Sequence, residues 1–179
     1  TQKFAFPVFK LLIPSNNHEN TTEYRIYLFQ MHQPYRNKNT GNIREIGYKS
    51  FSGCSGLREI SIPSTVKTVG IGAFENCTEL KDISLPTTLT EINYYTFSGC
   101  TSLTTLTLHS KLTAINNYAF AGCKSLTEIH CKNSNPPLIG ENTFRDVNRI
   151  GCKIFVPSKR AKKSYSTALY WNEFTIYIE

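Results

Sequence analysis

The strongest constraint on this chain is a 23-residue repeat. Each copy has a phenylalanine three residues before a cysteine, followed by a leucine and then by alternating aliphatic residues. The phenylalanines are Phe51, Phe74, Phe97 and Phe120, and the cysteines are Cys54, Cys77, Cys100 and Cys123. A fixed period in the twenties with apolar residues in fixed columns is typical of a solenoid, in which similar coils stack on their neighbours. The repeat therefore predicts a stacked architecture.

A single copy contains the elements of one coil. Residues 57–62 predict a short strand, because Ile60 and the aliphatic residue two positions later share one face. Pro63 then ends the strand, since proline has no N–H for a ladder. A second apolar edge begins at Val66, and residues 73–77 predict a tight helical turn back to the next strand.

The two ends depart from the repeat, and we expect three segments: residues 1–42, the solenoid at 43–144, and a C-terminal cap at 145–179. Residues 4–13 and 24–31 predict strands, in a segment that is either a degenerate coil or part of a truncated upstream domain. In the cap, we expect a last strand from Lys153 to Val156, then a helix at about 159–169 with Ser158 as its N-cap. The residues expected to seal the apolar end are Trp171, Phe174, Ile176 and Ile178.

The net charge of +7 is unevenly distributed along the chain. Residues 1–50 and 145–179 each carry seven Lys/Arg against three Asp/Glu, whereas residues 51–144 carry six against seven. A nucleic-acid-binding solenoid would carry basic charge along its repeats, so we do not expect a nucleic-acid partner. No apolar run approaches the roughly 18–20 residues of a membrane span. The sequence begins at Thr1 without an apolar leader, so we expect any signal or lipid anchor to lie outside it.

The pattern Phe-x-x-Cys-x-x-Leu-x-x-Ile-x-Ile-Pro resembles the BspA-like leucine-rich repeats of bacterial and some protist surface proteins. The end of the chain resembles the ending common in such proteins of gut anaerobes. The residues that carry this second likeness are Pro136-Pro137, Val156-Pro157, Tyr165, Trp171 and Phe174. Two copies depart from the pattern, with His109 in the proline position of the third and Cys131-Lys132 in the fourth.

The resemblance implies a leucine-rich-repeat solenoid, a β-rich, right-handed β/α superhelix with short helical turns. It implies one parallel strand per repeat, and a C-terminal cap with a short helix. It also implies a secreted or surface-anchored binding protein, with adhesion to host or microbial partners as its usual role. It brings no catalytic, cofactor-binding or metal-binding residues to this chain.

The cysteine column predicts buried free thiols. Parallel side chains one strand spacing apart leave their Cβ atoms about 4.8 Å apart, where a disulfide needs about 3.8 Å. A bridge between Cys131 and Cys152 stays open, because both belong to the last strands. The sequence has no Cys-x-x-Cys, which disfavours a zinc site. We expect His109 and His130 to lie on the surface.

The sequence contains no convincing arrangement of catalytic residues. Glu59 and Asp82 are near neighbours on one face, but they alternate with Arg58 and Lys81, as is typical of a solvated surface. The basic run at 159–163 fits a solvated helix face. We therefore expect no enzymatic activity.

The outward positions of the strand column form the candidate ligand surface, which we call the sheet-face strip. Extended sheet faces are common binding surfaces of solenoids, although threonine also suits an exposed strand for structural reasons alone. The strip comprises Arg58, Glu59, Ser61, Lys81, Asp82, Ser84, Thr104, Thr105, Thr107, Thr127, Glu128 and His130.

Two functions fit the sequence. The first is a non-catalytic recognition or adhesion module at the cell surface or outside the cell, binding a protein or a glycan through the sheet-face strip. The second is a structural spacer or self-associating surface element with no ligand of its own. Of the possible oligomeric states, the monomer is favoured.

Overall fold

The computed structural model describes residues 9–16, 22–29 and 44–179. Strands β1 (Phe9–Asn16) and β2 (Thr22–Phe29) form an antiparallel pair, with Phe9 opposite Phe29. The sequence predicted both strands, although β1 continues three residues further than expected. The outer parts of those two predictions, residues 4–8 and 30–31, lie outside the described residues.

From residue 44 the chain forms the predicted solenoid of about six turns, with parallel strands in two columns. The front column contains β4 (Glu59–Ser61), β6 (Asp82–Ser84), β8 (Thr105–Leu108), β10 (Glu128–Cys131), β12 (Lys153–Val156) and β13 (Thr175–Ile178). The back column contains β3 (Glu45–Ile46), β5 (Thr68–Val69), β7 (Glu91–Ile92), β9 (Ala114–Ile115) and β11 (Leu138–Ile139). The front strands pair as β4–β6 and β8–β10–β12–β13, and the back strands pair as β3–β5 and β7–β9–β11.

The phenylalanine column forms a continuous stack through the core. Successive rings from Phe51 to Phe144 lie 5.1 to 5.6 Å apart between centroids, with their planes within 12° of parallel. Backbone hydrogen bonds run beside the stack, such as Phe51 N–H to the Ala73 carbonyl at 2.8 Å. Each coil is therefore held to the next by ring contact and by backbone pairing at the same corner.

The cysteine column lies beside this stack and also connects the coils. The thiols of Cys77, Cys100 and Cys123 donate to the phenylalanine carbonyl 26 residues earlier, at 3.2 to 3.4 Å. All three are fully buried, and burial raises the pKa of the Cys123 thiol to about 12. The predicted buried thiols are confirmed for these residues, whereas the prediction is wrong for Cys54, which is half-buried.

No disulfide joins Cys131 to Cys152, and both are free thiols. The pairing of β10 with β12 places Ile129 opposite Ile154. Cys131 therefore lies near one end of this strand pair and Cys152 near the other. Side chains separated by about four strand residues, or about 13 Å, are too distant for a bridge.

The tight corner before each cysteine needs a left-handed backbone. The position is held by Gly53, Asn76, Gly99 and Gly122, with φ between 59° and 76°. At Gly99 a Cβ atom would also lie 2.2 Å from Asn76 Oδ1, so a larger residue there would have to displace the Asn76 side chain. Glycine and asparagine are the residues that adopt this conformation most readily.

The C-terminal cap closes the stack largely as predicted. Helix α1 (Lys159–Thr167) has Ser158 as its N-cap, and Ser158 Oγ accepts from Ala161 N–H at 3.1 Å. The helix ends two residues earlier than expected. Trp171, in a short 3-10 turn, and Phe174 pack against Phe144 at the end of the stack. The Trp171 indole N–H donates to the Pro137 carbonyl at 2.8 Å.

Two cap predictions were wrong. Strand β12 is not the last strand, because β13 pairs with it in parallel and carries the buried Ile176. Ile178 does not seal the core: its side chain is 43% exposed at the edge of the front column. In the described part of the chain, no helix is long and apolar enough to cross a bilayer.

The prediction of a surface position for His109 is wrong, because the residue is only 9% exposed. It replaces the prolines of the two preceding coils, Pro63 and Pro86, and the chain turns inward there as it does at buried Pro86. Burial, and to a smaller extent the charge of Lys111, lower the pKa of the imidazole, while the Pro86 carbonyl acts in the opposite direction. We therefore expect His109 to be neutral at pH 7.

Removing one ring from the middle of the stack should destabilise the whole solenoid. Phe97 is 1% exposed and stacks on both sides, so Phe97→Ala should lower the free energy of unfolding by about 3–5 kcal/mol. Urea denaturation followed by circular dichroism measures the change. Tyr94 is an exposed residue of the same coil, so Tyr94→Ala should change the free energy of unfolding by less than about 0.5 kcal/mol. Equal effects of the two variants would contradict the stacking argument.

Burial of neutral His109 predicts a pH-dependent stability. Because its folded pKa lies below the ordinary value of about 6.5, the unfolded chain binds a proton below that pH more readily than the folded chain does. Stability should therefore fall as the pH drops from 7.5 to 5, and fall less in His109→Gln. Melting temperatures across this range provide the measurement, with His130→Gln, at the half-buried histidine on the outer face, as the control. Parallel curves for wild type and His109→Gln would refute the assignment.

Candidate functional site

The sheet-face strip lies along the outward side of the front column. Nine of its twelve residues are exposed, and Thr105, Glu128 and His130 are half-buried. Strand register places Glu59 beside Asp82 in the first two strands. In the next two strands it places Thr105 beside Glu128 and Thr107 beside His130. The strip is divided into two halves, because β6 and β8 do not pair.

The first half of the strip is charged and solvated. Arg58 Nε donates to Glu79 Oε2 at 3.0 Å, and both side chains are about half exposed or more. Exposed ion pairs of this kind contribute at most about 1 kcal/mol. Lys81, Asp82 and Glu59 form no ion pair within the described residues. Their charges are therefore available to a partner.

The second half of the strip continues beyond His130 into two aromatic residues that the sequence interpretation did not include. The His130 and Phe155 rings stack at 4.8 Å with planes 12° apart, and Phe155 lies 5.7 Å from Tyr177. Tyr177 is 41% exposed on β13 at the edge of the column. We call His130, Phe155 and Tyr177 the aromatic end of the strip.

The alternation of inward and outward side chains along β12 and β13 could have identified Phe155 and Tyr177 as surface residues. Ile154 and Val156 point inward on either side of Phe155, and Tyr177 follows buried Ile176. A period of two therefore assigns both aromatic side chains to the outward face. The sequence interpretation overlooked Tyr177 because it did not recognise β13 as a strand.

Charged groups fix the orientation of His130. Its Nδ1 lies 2.6 Å from Glu179 Oε1, and its Nε2 lies 3.6 Å from Glu128 Oε2. Lys132 Nζ binds the other Glu179 oxygen at 2.5 Å. Hydrogen bonds from Lys132 and His130 lower the pKa of the Glu179 carboxyl. The aromatic end therefore has a fixed ionic border on one side.

A second group of aromatic residues, all exposed except the half-buried Tyr118, lies at the corners after the back column. Tyr95 and Tyr118 stack with parallel planes at 4.9 Å, and both adopt a left-handed backbone with φ of 58° and 63°. Tyr48 and Tyr94 are also exposed there. A bulky residue in this conformation is strained, by about 1–2 kcal/mol. These corner tyrosines form a surface separate from the strip.

Other candidate groups remain apart from the strip. The basic residues at 159–163 lie on α1, with only Ala161 buried, so they form the predicted solvated helix face. Among the residues that the structure describes, no group of three or more His, Cys, Asp or Glu side chains is placed to hold a metal ion.

Comparisons with known proteins agree with this geometry. The family model described as "BspA type Leucine rich repeat region" matches six copies over residues 22–167. None of the curated proteins compared with the chain matches it significantly.

Three solved structures are similar in fold. A leucine rich cell surface protein from Faecalibacterium prausnitzii is 28% identical over 74% of this chain and 32% of its own, with a TM-score of 0.60. The leucine rich repeat protein of T. pallidum is 31% identical over 63% of this chain and 52% of its own, with a TM-score of 0.56. The pneumococcal vaccine antigen PcpA, at 22% identity over 77% of this chain and 42% of its own, is similar in fold alone, with a TM-score of 0.51.

This chain thus spans about a third and about a half of the first two structures. The family model covers most of the chain, and each repeat contributes one strand to the front column. The chain belongs to the BspA-type leucine-rich-repeat family.

Proposed function

We propose that this chain is a non-catalytic recognition or adhesion module that binds a protein or glycan partner through the sheet-face strip and its aromatic end. The observation that carries the proposal is the outward row of polar and aromatic side chains along the front column, ending in the His130, Phe155 and Tyr177 stack. A location at the cell surface or outside the cell is part of the proposal, supported by the similarity to the Faecalibacterium prausnitzii cell surface protein.

The aromatic end favours a binding role over a purely structural one. Aromatic residues are enriched at the centres of protein interfaces, where they supply large contact areas at low cost in side-chain entropy. Phe155 and Tyr177 occupy outward positions that the core does not require, since Ile154 and Ile176 already fill the inward ones. Threonine or serine, as on the other front strands, would satisfy an exposed parallel strand equally well.

The charged half of the strip contributes selectivity. Lys81 and Asp82 are adjacent in sequence and exposed, so the surface carries both signs at close range. Mixed charges of this kind affect the association rate and the choice of partner more than the affinity. A partner with matching polar groups is therefore favoured over a uniformly charged polymer.

The alternative function is a spacer or self-associating element. The observation that favours it is the outer edge of β13, which pairs with no other strand among the described residues and carries the exposed residues Tyr177 and Ile178. Exposed edge strands are templates for pairing with another chain. Sedimentation velocity between 5 and 500 µM distinguishes the two, because a recognition module stays monomeric, whereas edge pairing gives a concentration-dependent dimer.

Changes on the strip should abolish binding without unfolding the chain. Arrays of glycans and of extracellular matrix proteins would first identify a bound component. Thr105→Arg and Tyr177→Ala should then each weaken that binding at least tenfold, because the first places a bulky charge on the strip and the second removes the outermost ring of the aromatic end. Melting temperatures should change by less than about 4 °C, the shift expected for a change in stability below about 1 kcal/mol.

The matched control is Tyr94→Arg on the corner tyrosines, which should leave binding intact. Retained binding in both strip variants, or loss of binding in Tyr94→Arg, would contradict the proposal. Loss of binding only in the corner variant would assign recognition to the corner tyrosines instead.

A further inference from the structure

The front column is interrupted between β6 and β8. The Cα atoms of these strands approach within 8 Å, yet no ladder hydrogen bonds join them. The back column has a comparable interruption between β5 and β7, but side chains span it. There Thr88 Oγ1 donates to the Val66 carbonyl at 2.5 Å and Asn93 Nδ2 donates to the Val69 carbonyl at 2.8 Å. Among the described residues, no side-chain hydrogen bond joins β6 to β8; the bond from Thr101 Oγ1 to the Thr78 carbonyl at 3.2 Å lies before both strands.

His109 lies at this interruption and brings an unpaired hydrogen-bonding group with it. Its Nδ1 accepts from the Lys111 backbone N–H at 3.3 Å, which places the proton of the neutral ring on Nε2. Nε2 is buried and has no hydrogen-bond partner in the described structure. The Pro86 carbonyl lies close enough to the imidazole to oppose the lowering of its pKa by burial, so Nε2 faces this carbonyl without a hydrogen bond of normal geometry. Leaving a buried donor without a well-formed hydrogen bond costs about 1–3 kcal/mol, so the interruption carries a local cost in stability.

The interruption opens into a cleft with a volume of about 340 Å³. The cleft is lined by Asp82, Ile83, Ser84, Leu85, Thr107 and His109. Asp82, Ser84 and Thr107 form no side-chain hydrogen bond within the described residues. The volume is near the lower end of the range for small-molecule sites, which begins at about 300 Å³.

We propose that this cleft is a subsite for one neutral sugar ring, a proposal that rests on the recognition function above and specifies part of its ligand. The Asp82 carboxylate can accept from neighbouring sugar hydroxyls, and the Ser84 and Thr107 hydroxyls can both donate and accept. The His109 imidazole forms part of the cleft wall, although its Nε2–H is buried and does not contact the ligand. Leu85 offers an apolar surface to the C–H face of the ring.

The charges at the cleft favour a neutral ligand. Asp82 brings a carboxylate to the cleft, Glu59 lies beside it in register, and His109 is uncharged at neutral pH. An acidic sugar would place a second carboxylate beside Asp82. Lys81 and Lys111 are exposed nearby in sequence but do not line the cleft.

A peptide strand fits the interruption less well than a sugar. Inserting a strand between β6 and β8 would require them to lie about 9.6 Å apart, twice the normal strand spacing. Their Cα atoms are within 8 Å. The groups that line the cleft are mostly side chains, whereas strand addition depends on backbone edges.

The test uses the whole chain and observes the His109 ring. Methyl glycosides of glucose, galactose, mannose and N-acetylglucosamine are titrated singly to 50 mM at pH 7.5, with long-range ¹H–¹⁵N spectra of the imidazoles as the readout. We expect at least one glycoside to shift the His109 signals saturably while those of His130 stay fixed. Methyl glucuronide should bind at least tenfold more weakly than the matching glucoside.

Two variants test the contacts through saturation-transfer signals of the bound glycoside. Asp82→Asn keeps the size of the side chain at an exposed position, so it should fold normally and weaken binding at least fivefold. His109→Pro restores the residue of the two preceding coils, removes the imidazole from the cleft wall and should weaken binding at least fivefold. Tyr94→Arg should bind as wild type does. The proposal is overturned if no glycoside shifts the His109 signals, or if Asp82→Asn binds with unchanged affinity.

Two further outcomes separate this proposal from the recognition function. If a capped tetrapeptide shifts the His109 signals and no glycoside does, strand addition replaces the sugar subsite. If an array partner still binds Asp82→Asn and His109→Pro but not Thr105→Arg, the strip function stands and the subsite is wrong. Thr105 does not line the cleft, so its variant tests the strip alone.

Discussion

The structure depends on contact between equivalent positions of successive coils. Each phenylalanine ring stacks on the next at about one strand spacing, and the neighbouring cysteine thiol donates to a carbonyl of the preceding coil. Both interactions require a partner coil in the same register, so no coil is stable alone. Aromatic pairs contribute about 0.5–1.5 kcal/mol beyond the area they bury. This explains why phenylalanine and cysteine recur every 23 residues while the outward positions vary.

A stack of this kind must end in a residue that covers its last ring. Phe144 would expose one face if the chain stopped there, and Trp171 and Phe174 cover it at 5.8 and 5.6 Å between centroids. The indole N–H is satisfied by the Pro137 carbonyl, so the large ring is buried without leaving a donor unpaired. The cap therefore uses different residues to satisfy the same packing requirement as the repeat.

The sequence predicted the parts of the fold that repeat. Ile83 and Leu106 are buried as their columns required, and Ser158 caps the helix that it was expected to cap. Predictions failed where a residue had no equivalent in other coils. His109 was assigned to the surface because histidine is polar, although its position in the proline column places it at a buried turn. Ile178 was assigned to the core because it is apolar, although no coil follows β13 to cover it within the described residues.

The candidate site was also predicted only in part, because some of its features occur in one coil and do not repeat. Alternation assigns the outward face of each strand, so the strip from Arg58 to His130 follows from the sequence. The interruption between β6 and β8 could not be predicted from the sequence, because it depends on the exact spacing and orientation of two packed coils. The coils remain together there because β7 and β9 still pair in the back column, and because the Phe74, Phe97 and Phe120 rings stay stacked. The front column can therefore lose its ladder at one step without separation of the coils. A solenoid with two columns can open a cleft on one face while the other column and the core hold the spacing.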